Sequence, residues 1–245
     1  MAVMEVARTE EEVRAMLMEM VAEGKKAGIT TGDALICNEV AAGTATIEDI
    51  RNWVTQHYLS SSRRSTQIVA AWLLQAPDDM ADIIVENIIE EGAGIVSKTE
   101  AHPKLLVRFM KAIGLDMDKV NQMPLSVEAQ ALQGYTWHTL LNKPWYHAIG
   151  LGLSLEVGLP TAYVKLYNGL KQHYGLSERD LEFFSVHLEV DEDHAEGLMR
   201  ILAKHIGGDY QAQKAIRETY YYYNVLKRRV WDSYKGYSIP EFFTR

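Results

Sequence analysis

The stretch "SVHLEVDEDHAEGL", residues 185–198, carries two histidines and five acidic residues in fourteen positions. A helix advances about 100° per residue, so Asp191 lies about 40° from His187, and His194 about 20° from it on the other side. These three share one narrow stripe. Glu189, Glu192, Asp193 and Glu196 fall on the opposite half of the wheel, where solvated charge belongs. The stretch reads as a helix with a ligand face and a water face. A pair of core histidines hydrogen-bonded to an aspartate is the alternative reading of the same spacing.

Outward from this helix, only six prolines and 17 glycines interrupt long runs of helical periodicity, and no region alternates as a strand does. The expectation is an all-α chain with helices over 8–27, 32–41, 46–75, 78–92, 103–113, 125–142, 145–174, 177–206 and 209–234. Thr46, Ser126 and Ser177 precede helical runs as N-caps, the latter two with capping-box spacing. Stops fall at Gly114, Gly175 and the glycine pair at 207–208. With no repeat, low-complexity segment or Pro/Ser/Gly-rich linker, residues 1–245 read as a single helical domain.

Two further stretches hold carboxylates at apolar positions. "AIGLGLSLEVGLP", residues 148–160, is apolar or small nearly all round and carries one charge, Glu156. A helix apolar on all sides is buried, and an ionised carboxylate there requires a cation, either a metal or an arginine or lysine. In "ADIIVENIIEEGAG", residues 81–94, the apolar residues Ile83, Ile84, Val85, Ile88 and Ile89 centre on one arc. Glu86 and Glu90 fall opposite that arc, and Glu91 falls within it. The wheel thus picks Glu91 as inward-facing, although a helix-end carboxylate can equally reach solvent. His102 follows, next to a proline at a helix start, where a histidine can be a ligand, a cap or a surface residue.

The candidate set is Glu91, His102, Glu156, His187, Asp191 and His194. Mixed carboxylate and imidazole donors suit iron or manganese better than a structural zinc site, which favours sulfur, or calcium, which takes oxygen alone.

Composition narrows the partners. A net charge of −8 and the lack of any basic-plus-aromatic patch argue against nucleic acid, since "LKRRV" at 226–230 is too short and reads as a solvated face. A lone cysteine, Cys37, excludes an intramolecular disulfide and suits a reducing compartment. The acidic, amphipathic N-terminus is unlike a signal peptide, and no apolar run is long enough for a membrane span. The expectation is a cytoplasmic protein without membrane contact.

These residues together resemble the heme-oxygenase-like diiron oxidases and oxygenases, within the superfamily of TenA-, PqqC- and CADD-type proteins. The likeness rests on "NIIEEGAG", "HPKLLVRFMKAIGL", "LSLEVGLP", "NGLKQHYGL" and "HLEVDEDH", and covers about residues 30–205. It implies a bundle of about seven core helices. A ferritin-like bundle would need two E-x-x-H pairs on different helices, and only the D-x-x-H at 191–194 is present.

The resemblance implies that Glu91, His102, Glu156, His187, Asp191 and His194 bind two irons, with manganese an option in one site. Glu91, Glu156 and Asp191 would be the carboxylates directly engaged in catalysis. The implied activity is dioxygen-dependent oxidation of a small carboxylic acid, an amino acid or a fatty acid, by C–C cleavage, desaturation, N-oxygenation or nitrile formation. An external electron donor and a homodimer are compatible with it.

Arg63 and Arg64 are read as mid-helix cations able to grip the acid, or else as solvated arginines. Tyr58 and Tyr163, with Trp53, Trp137 and Trp145, are read as pocket walls or as core. "ETYYYYN" at 218–224 must expose some of its tyrosines.

Two alternatives stand beside this reading. One is a metal-free enzyme of the TenA or PqqC kind with Cys37 as nucleophile. The other is a CADD-like protein serving para-aminobenzoate synthesis or acting as an adaptor. The resemblance implies that such synthesis consumes one of the protein's own tyrosines with help from a lysine; against it, alignment on Gly43 puts Cys37 at that tyrosine, and counting from Glu156 puts Leu166, beside Lys165, at that lysine.

Overall fold

In the computed structural model, residues 5–156, 159–189 and 202–235 are described; among them there is no strand, and helices run throughout. In chain order these are α1 (Glu10–Lys26), α2 (Leu35–Ala41), α3 (Ile47–Ser60), α4 (Ser65–Leu73), α5 (Ala81–Ala93), α6 (His102–Ala112), α7 (Met117–Gln122), α8 (Val127–Asn142), α9 (Tyr146–Glu156), α10 (Leu159–His173), α11 (Glu182–Glu189) and α12 (Tyr210–Asp232).

Local chemistry sets most of these limits. Thr46 accepts from Asp49 N–H while Asp49 accepts from Thr46 N–H, a complete capping box. Ser126 caps α8 through Ala129 N–H. Ser177 and Asp180 exchange the same pair of bonds, but they close a turn that precedes α11 rather than opening it.

The expected helix over 46–75 is broken. Ser61 leaves helical geometry (φ −138°, ψ −57°), and a 3₁₀ turn at Ser62–Arg64 redirects the chain into α4. Serine hydroxyls satisfy the backbone there, with Ser60 and Ser61 both donating to the His57 carbonyl. Periodicity continued across the break, so the wheel could not register it.

α9 packs closely on α12. A Cβ at Gly150 would lie 2.6 Å from the Ile216 carbonyl oxygen and 2.7 Å from Tyr220 N, so only glycine lets these helices approach backbone to backbone. Gly152 does the same for a side chain, because a Cβ there would lie 2.4 Å from the far edge of the Trp72 ring. Asn224 then donates to Ser154 across the seam at 2.7 Å. Beside it lies an aromatic cluster: Trp231 stands edge-on to Trp53 at 5.1 Å, and Phe184 packs against Tyr163 at 5.7 Å. All four rings are buried. Of the tyrosine run, Tyr220 and Tyr223 are buried, whereas Tyr221 and Tyr222 are about half exposed.

Candidate metal centre

α5, α6 and α11 each deliver one donor to a common point. Glu91, His102 and His187 each offer a ligand atom, and these atoms lie within 4.8 Å of one another. The His102 and His187 rings lie 4.5 Å apart, centre to centre. Arg108 of α6 pairs with Glu182 of α11, and Phe109 stands edge-on to Phe184 at 5.0 Å. Polar and apolar contacts thus both hold the two histidine-bearing helices together.

The hydrogen bonds of the rings suit metal ligation. His187 Nδ1 lies 2.6 Å from the Phe183 carbonyl, which can only accept, so Nδ1 carries a proton and Nε2 keeps its lone pair. Nε2 lies 3.9 Å from Glu91 Oε1. On His102, Nδ1 faces Glu91 Oε1 at 3.1 Å and Nε2 lies 3.0 Å from Glu90 Oε1. Each histidine therefore has one nitrogen anchored and the other turned toward Glu91.

Glu90 is the residue that the wheel misplaced. The expected outward carboxylate is only 2% exposed. Its Oε2 accepts from the backbone N–H groups of Val96 (2.7 Å) and Ser97 (3.2 Å). Gly94 makes this possible. It caps α5 in the left-handed region (φ +63°), and a Cβ there would lie 2.6 Å from the Glu100 carbonyl oxygen. The turn folds Val96 and Ser97 back over the helix end. The sequence signal was the Gly-x-Gly that ends α5, which marks a tight turn able to cover the last carboxylates.

Charge follows the geometry. Burial pushes the Glu91 carboxyl up, but the hydrogen bond and charge of His102, with the charge of His187, outweigh it and bring it down to about 2. Burial lowers His102, yet its bonds to Glu91 and Glu90 prevail and raise it. His187 is pushed down to about 4 by burial first and by the His102 charge second. His57, also buried, is lowered well below the usual range by burial and then by the Lys227 charge.

Of the other candidates, Asp191 and His194 lie outside the described residues, as does the Glu156 side chain at the end of α9. A cavity of about 90 Å³ adjoins the cluster, and its wall includes Glu90, Glu91, His102 and His187. Tyr163 lies on that wall, whereas Tyr58, Arg63 and Arg64 do not. Arg63 and Arg64 sit in the 3₁₀ turn, half-buried and exposed respectively. The cavity's basic side chain is Lys227 of α12, 1% exposed and remote in sequence from the other candidates.

Residues 51–224 match the family described as iron-containing redox enzymes. The chain belongs to that family. Its fold is the heme-oxygenase-like fold of TenA and CADD-like proteins. A TenA homologue from Pseudomonas syringae pv. tomato superposes with a TM-score of 0.77 at 12% identity, over 96% of this chain and 100% of that one. A CADD-like protein from Nostoc punctiforme superposes with a TM-score of 0.72 at 17% identity, over 94% and 99%.

In sequence, the chain is 30% identical to a 4-aminobenzoate synthase from Chlamydia pneumoniae over 126 residues, 51% of this chain and 54% of the relative. The match spans about half the length of that relative. Among the described residues, no helix is long and apolar enough to cross a membrane.

Proposed function

We propose that this protein is a two-iron, dioxygen-dependent oxidase or oxygenase acting on a small carboxylic acid. The observation that carries the proposal is the buried convergence of Glu91, His102 and His187 with the free lone pair of His187 turned inward. Glu91, the His102 nitrogen facing it and His187 Nε2 would hold one iron; Glu156, Asp191 and His194 would hold the other. Iron supplies the one-electron and dioxygen chemistry that side chains lack.

The chain's own groups do the positioning. Glu90 accepts from His102 and fixes its ring, and the Phe183 carbonyl fixes that of His187. Ile68, Val69, Leu155, Leu159 and Phe183 give the cavity beside them an apolar wall that would limit water at the reacting face.

The two alternatives draw less support from the residues they need. Cys37 is wholly buried, bonds weakly to the Thr31 carbonyl, and has its thiol pushed far up by burial, the reverse of an activated nucleophile. Lys165 donates to the Gly32 carbonyl at 2.6 Å and to Asn38 at 2.9 Å, which ties it to the start of α2.

The test is anaerobic loading with ferrous iron, metal analysis and Mössbauer spectroscopy, followed by oxygen uptake with a panel of amino and fatty acids. About two irons per chain and acid-dependent oxygen uptake are expected. Failure to retain iron, or equal retention by His187→Ala protein, overturns the proposal.

A further inference from the structure

Tyr163 of α10 touches two groups that together give it a chemistry of its own. Its ring stands edge-on to the His187 ring, 5.0 Å away centre to centre. Its hydroxyl lies 3.4 Å from His57 Nε2. Both Tyr163 and His57 are buried, at 2% and 3% exposure. An oxidisable phenol with a nitrogen base at its proton is thus packed against a proposed iron ligand.

A phenol gives up an electron readily when its proton leaves at the same time, because the radical cation it would otherwise form is a strong acid. A base within hydrogen-bond reach meets that need, even an imidazole that burial keeps neutral and weakly basic. Ser62 Oγ, 3.1 Å from the same nitrogen, accepts as well as donates and can take up an N–H formed there. Neighbouring oxidisable rings lack this arrangement. Trp231 lies 6.3 Å from Tyr163, and Trp53 lies 5.1 Å from Trp231. Neither buried indole N–H has an acceptor among the described residues, so oxidation of either ring would leave a charged radical in the core. Phe183 and Phe184, also packed on Tyr163, carry no proton to release.

We propose that Tyr163 is a redox-active tyrosine, with His57 as its proton acceptor, that takes an oxidising equivalent from the iron centre when dioxygen reacts there without substrate. The proposal rests on the reading of Glu91, His102 and His187 as iron ligands. The oxidant is dioxygen activated at ferrous iron. One electron passes from the Tyr163 ring to that centre, which is reduced by one electron. The phenolic O–H bond breaks and an N–H bond forms at His57 Nε2, leaving a neutral phenoxyl radical beside an imidazolium. A one-electron reductant such as ascorbate, with the proton returned from His57, restores the phenol. The oxidising equivalent is drawn off to a residue that recovers, rather than spent on the ligand histidines.

The test is paramagnetic resonance, read without turnover. Full-length protein is loaded anaerobically with ferrous iron, its iron is measured, and it is mixed with oxygenated buffer containing no acid and frozen at successive times. An organic radical is expected whose spectrum narrows when the protein carries ring-deuterated tyrosine. It should show coupling to an exchangeable proton, lost in deuterium oxide, and should vanish on addition of ascorbate with the mass of the chain unchanged. Tyr163→Phe should remove the radical. His57→Gln should slow its formation about 100-fold, the low end of what a positioned base contributes.

Iron-loaded wild-type protein that gives no tyrosine radical overturns this proposal alone, whether or not the variants fold. A radical that persists in Tyr163→Phe protein, folded by circular dichroism, belongs to another residue and overturns it too. An unchanged rate in folded His57→Gln protein removes His57 from the step. Should that variant not fold, a wild-type radical without the exchangeable proton does the same. Protein that retains no iron overturns the reading of the centre and this proposal with it, and the iron measured on the same samples tells the two failures apart.

Discussion

At the scale of single residues, the centre is a case of carboxylates sorted by their partners. Glu90 and Glu91 are adjacent, about 100° apart on the helix, yet both reach His102, one on each ring nitrogen. Glu91 faces the point where three donors meet, whereas Glu90 is already held by two backbone N–H groups and acts through the ring. Removing each should therefore fail differently. Glu91→Ala should abolish retention of the iron that Glu91, His102 and His187 would hold. Glu90→Gln keeps the shape but weakens the hold on the ring, and should lower iron affinity about 10- to 100-fold, as loss of such outer partners does. Competition with a ferrous chelator measures both, and equal losses would mean that Glu90 is itself a ligand. The wheel could pick Glu91 because that residue sits within an apolar arc. It could not place Glu90, whose burial comes from the loop after Gly94 folding over the helix end rather than from the helix face. Lys227 was illegible for a similar reason: "LKRRV" offers three cations, and only the packing of α12 on α9 determines which is buried.

At the scale of elements, the paired α6–α11 helices place two of the donors, and the tight α9–α12 seam supplies Leu155, Tyr223 and Lys227 to the cavity wall beside them. The seam depends on one missing side chain, that of Gly150. Gly150→Ala would press a methyl group into the backbone of α12 at 2.6 Å, and backbone cannot yield as a side-chain tip does. The expected cost is about 1–3 kcal/mol, the usual range for overpacking a core. Urea unfolding should show it, and a loss below about 0.5 kcal/mol would mean that the seam is looser than drawn. Thr46→Ala should remove the α3 cap at a cost of about 1 kcal/mol, without effect on iron binding. The helical periods were legible because burial repeats along each of these faces. The break at Ser61 was not, because it comes from serine hydroxyls competing for backbone carbonyls within a stretch whose apolar period runs on unchanged.

At the scale of the whole molecule, stability and charge are linked through histidines kept neutral in the interior. His57 and His187 both have pKa values pushed down by burial, His187 to about 4, against about 6.5 in an unfolded chain. Between these limits the unfolded chain binds protons that the folded chain refuses, so the contribution of these two histidines is full above about pH 6.5 and falls on acidification toward pH 4. His102 works in the opposite sense. Its pKa is raised, so its contribution is present below the unfolded value and is lost as pH rises through the folded one, on the alkaline side of this window. Glu91, lowered to about 2, contributes above the unfolded carboxylate value and loses that contribution only in stronger acid. Chelator-treated protein should therefore lose stability from pH 6.5 toward pH 4, each refused proton adding up to about 1.4 kcal/mol per pH unit. His57 is not among the proposed ligands; its Nε2 meets the Ser62 hydroxyl at 3.1 Å and Tyr163 Oη at 3.4 Å. His57→Gln removes one titrating group from the interior while offering those hydroxyls another polar partner, and should roughly halve the slope. Urea denaturation of both proteins at half-unit steps across that window measures it. An unchanged slope would show that His57 takes up its proton in the folded state as readily as in water, and that the polar end of the cavity is open to solvent rather than sealed.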